Sequence, residues 1–555
     1  MWWSTCLSLC AILASVRPDS TDSREVKISQ GTVKGYRDPE GDLFAFYNIP
    51  YATAPSGTAR FKAPLPPPVW LNTFEAVDKG VICPQTPLGP VHSNLTQQEN
   101  CLIVNVFVPD TEEKNLPVVV AVHGGAFQIG YGNWVELKEL MRINKVIVVD
   151  FNYRLGVHGF LCLGTEDAPG NAGLKDQVAL LRWVNRNIGS FGGNPDDVTL
   201  IGYSAGSAAV DLLLLSKSVR GLFHKIILES GSNLAPFAVQ LDPLKNAKDY
   251  AKQLKFERFD DIYALEEFYK TASYQKLTSD AFIDRPDSTF MFVPCVERDV
   301  GEEIILDDAP INLLQNKQYP KVPMLIGFAN MEGLMRIDLF DEWKTKMNKR
   351  FSDFLPADLH FKNESQKKKV AKIIKEFYFG DRSVNTDGVL NYVNYFSDVI
   401  FMTPALRSIK LLTEAGHDQV YLYEYSFVDE NVPVVPHTDV RGANHCAQTM
   451  AVVDGPAIAA REDVVDTEEY REMRKTMRTL WNNFITTGKP VPEGSSLPKW
   501  PSINKDLSPY MSLGNKIELK DTLAEERVKF WDGIYEKYYR IPRPPSPLPP
   551  KHTEL

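Results

Sequence analysis

The sequence predicts an α/β protein: one large domain on a doubly wound, mostly parallel central sheet flanked by helices, with helical insertions above the sheet's C-terminal edge. Three observations point there. Short runs of β-branched and other apolar residues recur along the chain without strict alternation, as in strands buried on both faces. Segments of helical length separate them, as crossovers between parallel strands require. Small-residue turns follow two of these runs directly, at the sheet edge where open α/β folds hold their ligands.

In chain order, residues 1–16 come first. "MWWSTCLSLCAILASV" holds an apolar stretch of roughly a dozen residues, too short to span a bilayer. It ends in small residues, Ala14 and Ser15, ahead of Arg17-Pro18-Asp19, and reads as a secretory signal peptide, although no Lys or Arg precedes the apolar run. The folded domain is expected over 24–541. Its strands are expected at 101–109, 116–125, 144–154, 198–204, 225–231, 322–328 and 419–425, where apolar runs such as "CLIVNVFVP" and "LPVVVAVHGG" stand. Between 178 and 190, "VALLRWVNRNIGS" places apolar residues at helical spacing. Segments 236–320 and 333–400 are richer in charge and aromatics and are expected to be the helical insertions. Within the second, the lysines of "SQKKKVAKIIKEF" interleave with Val370, Ile373, Ile374 and Phe377, which gives an amphipathic helix with a solvated basic face. The tail, 542–555, is too proline-rich for helix or inner strand and is expected to be extended and exposed.

Composition narrows the function. A net charge of −10 lacks the basic face that nucleic-acid binding needs. No segment beyond the N-terminus is long and apolar enough to cross a membrane. Removing Cys6 and Cys10 with the signal leaves Cys83, Cys101, Cys162, Cys295 and Cys446, an odd set for an oxidising lumen. Cys83 and Cys101 bracket a polar stretch that a disulfide could close into a loop. Asn94-Leu95-Thr96 and Asn363-Glu364-Ser365 are the N-x-S/T acceptors for glycans, Asn94 inside that loop.

The chemistry rests on "VTLIGYSAGSAAV" (198–210). G-x-S-x-G after a strand suits a nucleophile elbow, a turn so sharp that only small residues fit on either side of the serine. A serine hydroxyl is a weak nucleophile at neutral pH and needs a base, a carboxylate and donors for the developing oxyanion. "AVHGGAF" (121–127), at another strand end, offers the N–H groups of Gly124, Gly125 and Ala126 beside that of Ala205. For the base, His445 lies in a loop after the strand at 419–425, flanked by Gly442 and Ala443; His437 in "VPHTD" is the rival. For the carboxylate, Glu332 stands just past the strand at 322–328, with Asp338 and Asp341 farther on.

At this point the chain resembles the cholinesterase/type-B carboxylesterase family of α/β-hydrolases over nearly its whole length after the signal peptide. The resemblance is carried by "FYNIPYATAPSGTARFKAP" (46–64), "QENCLIVNVFVP" (98–109), "HGGAF" (123–127), "NYRLGVHGFL" (152–161), "PGNAGLKDQ" (169–177), "WVNRNIGSFGGNPDDVTLIGYSAG" (183–206) and "LFHKIILESGS" (222–232). It implies an α/β-hydrolase fold and a serine carboxylesterase acting through an acyl-enzyme on Ser204, with Glu332 and His445 completing the triad. It implies an oxyanion hole of Gly125, Ala126 and Ala205, with Gly124 making the turn, and no cofactor or metal. It pairs Cys83 with Cys101 and makes Arg60–Glu99 and Arg154–Asp176 structural ion pairs. Cys162, Cys295 and Cys446 are then expected as buried free thiols, and activity should rise through roughly pH 6 to 7 with an ordinary histidine.

Departures refine the substrate. Cholinesterases place a tryptophan in the first disulfide loop to hold a quaternary ammonium, and 84–100 here contains no aromatic residue. Juvenile hormone esterases typically carry Gln where this chain has Tyr203. Ala447 and Gln448 replace the acidic residues usual after the histidine. The motifs look most like insect carboxylesterases acting on xenobiotic, odorant or pheromone esters; a juvenile hormone esterase, a lipase and a non-catalytic neuroligin-type protein are the alternatives. The partner is therefore a small-molecule ester. The last residues, His552-Thr553-Glu554-Leu555, resemble an ER retrieval signal. That favours the ER lumen, through a retrieval receptor, with secretion as the alternative.

Overall fold

The structure is a computed structural model; it describes residues 22–547 except 40, 88–94, 281, 318 and 455–465. The putting together of the sheet follows from where the apolar runs sit. Its strands are β1 (Ser23–Ile28), β2 (Gly31–Arg37), β3 (Leu43–Pro50), β4 (Ile103–Pro109), β5 (Leu116–Val122), β6 (Ile147–Phe151), β7 (Gly193–Tyr203), β8 (Lys225–Glu229), β9 (Met324–Ala329), β10 (Val420–Tyr425), β11 (Tyr510–Leu513) and β12 (Ile517–Lys520). They lie in the order β1-β2-β3-β4-β6-β5-β7-β8-β9-β10-β11-β12, and the short strand Phe74–Glu75 pairs with β2. From β6 through β5 to β11 every neighbour is parallel. The margins are antiparallel.

Alternate residues of the central strands feed two different cores, which is why their sequences read as continuous apolar runs. Val118, Val120, Leu200, Ile226, Leu228 and Ile326 join one cluster, and Val119, Ile201, Ile227 and Leu325 the other. The first face is covered by α1 (Ala172–Asn187) and α2 (Ala205–Leu215). The insertions carry helices, α3 (Pro243–Gln253) and α4 (Ile262–Thr271), then α5 (Phe340–Arg350), α6 (Glu364–Phe379) and α7 (Val389–Ser397), but 282–309 of the first forms neither helix nor strand. Helix α6 buries Val370 and Ile374 and leaves its lysines in solvent, but Ile373 is exposed, on the flank of the apolar stripe. Farther on come α8 (Thr403–Glu414), α9 (Ala447–Val452), α10 (Glu468–Thr487) and α11 (Glu525–Tyr538); Met473, Met477, Leu480 and Trp481 of α10 fill the second core. Among the described residues no helix is long and apolar enough to cross a membrane.

Two expectations are corrected here. Cys162 and Cys295 are not free thiols but form a disulfide across 133 residues, and among the described residues Cys446 alone is free and buried. The bonded pair is framed by Asn171, whose side chain donates to Cys295 O and accepts from Cys295 N, each at 2.8 Å. Local burial made each cysteine look like an inert thiol, and nothing in either neighbourhood signals a partner so distant in sequence. The tail is also less exposed than expected. Residues 541–547 form neither helix nor strand, yet Pro542 and Pro545 are buried and Arg298 donates to Ser546 O at 3.4 Å. Residues 1–16, Asn94 and 552–555 lie outside the described residues.

Cys83 and Cys101 are bonded. Arg154 and Asp176 meet in a buried bidentate pair (Nε to Oδ2 2.8 Å, Nη2 to Oδ1 2.6 Å), and Arg60 lies 3.1 Å from Glu99.

Candidate active site

Strand β7 ends at Tyr203 and helix α2 begins at Ala205, so Ser204 must reverse the chain in a single residue. It does so at φ 55°, ψ −126°, a backbone that costs a non-glycine residue of order 1–3 kcal/mol. The flanking glycines exist for close approach: a Cβ on Gly202 would stand 2.4 Å from Gly206 O, and one on Gly206 2.2 Å from Val122 O. The strain is held by Ser204 N donating to Glu229 O at 2.8 Å, at the end of β8.

The loop after β5 is fixed from several sides. His123 is fully buried and its ring stacks on Tyr153, with centroids 4.3 Å apart. Its Nδ1 lies 2.8 Å from Gly124 O, and burial pulls its pKa down to about 4, so it is a neutral structural residue. Gly125 sits at φ 102°, and a Cβ there would lie 2.1 Å from Ile129 O, which excludes any other residue. Ala126 follows at φ 58°. Among the described residues, the N–H groups of Gly125, Ala126 and Ala205 donate to no protein acceptor. Ala205 is the first residue of α2, where the helix itself supplies no partner and the dipole favours an anion.

Strand β9 ends at Ala329, and Glu332 opens the following turn with its side chain fully buried. Its Oε1 accepts from Ala329 N at 2.8 Å and from the Ser230 hydroxyl; its Oε2 accepts from His445 Nδ1 at 2.5 Å. That donation leaves His445 Nε2 to accept from Ser204 Oγ, 2.9 Å away. Cys446 Sγ is 3.5 Å from the same nitrogen, and the Phe401 ring packs on the imidazole with centroids 4.5 Å apart. Burial opposes a charged His445, but the Cys446 sulfur and the Glu332 carboxylate outweigh it and raise its pKa above the ordinary histidine value.

The structure thus brings Ser204, His445 and Glu332 into one line of contacts. The rivals lie elsewhere: His437 is exposed beside Phe340, Asp338 is exposed, and Asp341 pairs with Lys344 on the surface. Ser230, Glu229 and Phe401 surround the site without having been singled out from the sequence, and Gln448, noted there only as a departure beside the histidine, joins them. Glu229 is buried, accepts from Thr449 Oγ1 (2.7 Å) and Trp481 Nε1 (2.9 Å), and burial pushes its pKa up to about 7. A cavity of about 470 Å³ has His445, but not Ser204, in its wall; Leu334, Ile337, Phe427, Val435 and Met450 line it, with Asp429 and Asp466 among its polar residues.

Comparison with known proteins agrees with this architecture. The sequence profile described as the carboxylesterase family matches residues 22–531. The chain is 31% identical over 511 residues to esterase FE4 of Myzus persicae, covering 88% of both chains. It is 32% identical over 526 residues to the juvenile hormone esterase of Heliothis virescens, covering 90% of this chain and 91% of that one. The crystal structure of juvenile hormone esterase from Manduca sexta with OTFP covalently attached superposes with a TM-score of 0.81 at 28% identity, over 93% of this chain and all of that one.

Proposed function

The chain belongs to the carboxylesterase family and is a carboxylic ester hydrolase, and from that premise we propose that Ser204 is its nucleophile, His445 its general base and Glu332 the carboxylate that orients the base. The observation that carries this reading is the unbroken run of contacts from Ser204 Oγ through both ring nitrogens of His445 to Glu332. Ser204 Oγ attacks the ester carbonyl as Nε2 takes its proton, and the imidazolium is stabilised by Glu332. The N–H groups of Gly125, Ala126 and Ala205 receive the oxyanion. Protonation of the leaving alcohol by His445 leaves an acyl-enzyme, which water cleaves by the same steps in reverse.

The substrate proposed is a neutral, lipophilic ester of a xenobiotic, odorant or pheromone type. Its support is the cavity beside His445, lined in part by apolar residues, and the absence of any aromatic residue between Cys83 and Cys101 that could hold a quaternary ammonium. A juvenile hormone-type ester is the second reading, favoured by the similarity to two juvenile hormone esterases. Both disulfides suit an oxidising compartment. The proposed route is the secretory pathway, by removal of 1–16, with retention in the ER lumen by a receptor reading 552–555. Asn363 is exposed and caps α6 by accepting from Gln366 N (2.9 Å) through its carbonyl oxygen, which leaves the amide nitrogen for a glycan; Asn94 is the second proposed acceptor.

The mechanism is tested by reacting the protein with a fluorescent organophosphate and locating the adduct by mass spectrometry. One adduct, on Ser204, is expected, and Ser204→Ala should fold normally with kcat lowered by about 10⁴-fold or more. An adduct on another residue, or none, would reject the assignment.

A further inference from the structure

Gln448, three residues after His445 at the start of α9, is buried and donates from Nε2 to Ser230 Oγ at 2.5 Å. Ser230 follows β8 and is held at φ 55°, a conformation a serine adopts only where its surroundings impose it. Its hydroxyl in turn contacts Glu332 Oε1. A hydroxyl has one proton to give and two lone pairs to receive with. The Ser230–Glu332 contact joins two oxygens, one of them a carboxylate, so the Ser230 proton must lie between them. Whatever else faces Ser230 must therefore donate to it, and only the amide NH₂ of Gln448 can.

We propose that Gln448 is a positioning residue of the esterase: it fixes the Ser230 proton on Glu332 and keeps a second negative charge away from the Glu332–His445 pair. This rests on the reading of Ser204, His445 and Glu332 as the triad. With the Ser230 proton in place, Glu332 receives hydrogen bonds from Ala329 N, Ser230 Oγ and His445 Nδ1, so its charge is shared among donors instead of resting on the imidazole alone. The other titratable groups facing this pair among the described residues are Glu229 from β8, Tyr203 from β7, Tyr423 from β10 and Cys446 beside the base. Glu229 keeps a proton into the neutral range, held off from ionising by burial. An ionised carboxylate at 448 cannot donate to Ser230 and would compete with Glu332 for the single proton. The amide makes the direction of the chain Gln448, Ser230, Glu332 unambiguous.

The test uses the full-length enzyme, p-nitrophenyl acetate, and the pH dependence of kcat/KM for Gln448→Glu, Gln448→Met, Ser230→Ala and the Ser230→Ala/Gln448→Met pair. Ser204 labelling by the organophosphate and a melting curve accompany each. Gln448→Glu is expected to move the acid limb up by about one unit, which lowers kcat/KM about tenfold at pH below the limb. Gln448→Met should cost several-fold in an otherwise unaltered chain and nothing further when Ser230 is already Ala, since it acts only through that hydroxyl. An acid limb unmoved by Gln448→Glu in a protein that folds and labels, or a Gln448→Met cost of the same factor in both backgrounds, overturns the proposal. If Gln448→Glu does not fold, the comparison of backgrounds decides alone. Failure of the unsubstituted enzyme to label at Ser204 would instead reject the triad on which the inference stands.

Discussion

In the proposed mechanism His445 must be neutral before it can take the Ser204 proton, so its surroundings set the pH at which Ser204 reacts. Its pKa is raised by Cys446 and Glu332 in spite of burial. The charged ring therefore persists to higher pH than in a free histidine, and activity appears only as pH rises through the raised value. A kcat/KM limb centred above 6.5 is expected, in place of the rise through pH 6–7 that an ordinary histidine suggests. A pH series with p-nitrophenyl acetate giving a midpoint at or below 6.5 would show that these neighbours do not hold the ring charged. His445→Gln should abolish turnover, while His437→Gln, altering an exposed ring beside Phe340, should leave it near its original level. Ser204 and the HGGAF loop were legible in the sequence because elbow and loop are local: small residues are demanded by atoms a few positions away. The contact between Ser230 and Gln448 was not, because it spans 218 residues and exists only once β8 and α9 are packed together.

The central strands were legible for the same reason they are stable: both faces are buried, so apolar residues stand at most positions. Strands β1 to β3, β11 and β12 were missed. The first two alternate buried with half-exposed residues over short stretches, as in "SREVKI" and "GTVKGYR", and they carry too little apolar content to stand out from loops. Helix α2 offers a test at this scale. Asp211 is fully buried on it, accepts from Asn233 N at 2.7 Å through one oxygen, and has no partner for the other among the described residues. Burial raises its pKa to about 7. Between its ordinary value and about 7 the native state keeps a proton that the unfolded chain has released, so stability contributed by this residue falls as pH rises through that window and is lost above it. Asp211→Asn is accordingly expected to raise the melting temperature more at pH 8 than at pH 5, by on the order of a degree or more; an equal change at both values would contradict the buried titration. The disulfides give a second test. Alkylation of the unfolded, unreduced protein lacking residues 1–16, followed by intact-mass measurement, should find one reactive thiol, Cys446, and two intact bonds. Three modified cysteines would restore the reading of Cys162 and Cys295 as thiols.

For the molecule as a whole, the proposed retrieval role of 552–555 is open to a direct test. Deleting 552–555 is expected to move esterase activity from cell lysate to medium with kcat and KM unchanged, because the described part of the tail ends against the surface around Gly164 and Arg298 and touches none of the catalytic residues. Full-length enzyme already abundant in the medium would point to an extracellular role in removing ester signals. The Cys162–Cys295 bond has its own consequence for survival in such places. It encloses β7, β8, α3 and α4, including the connection around Glu257 and Arg258, which is exposed. A trypsin-like protease cutting after Arg258 divides the polypeptide but not the particle: each fragment keeps one cysteine of the bond, and β7 stays zipped between β5 and β8. Backbone cleavage and inactivation thereby become separate events. The nicked enzyme should run as one species without reductant and as two with it, and it should keep turning over ester until the bond itself is reduced.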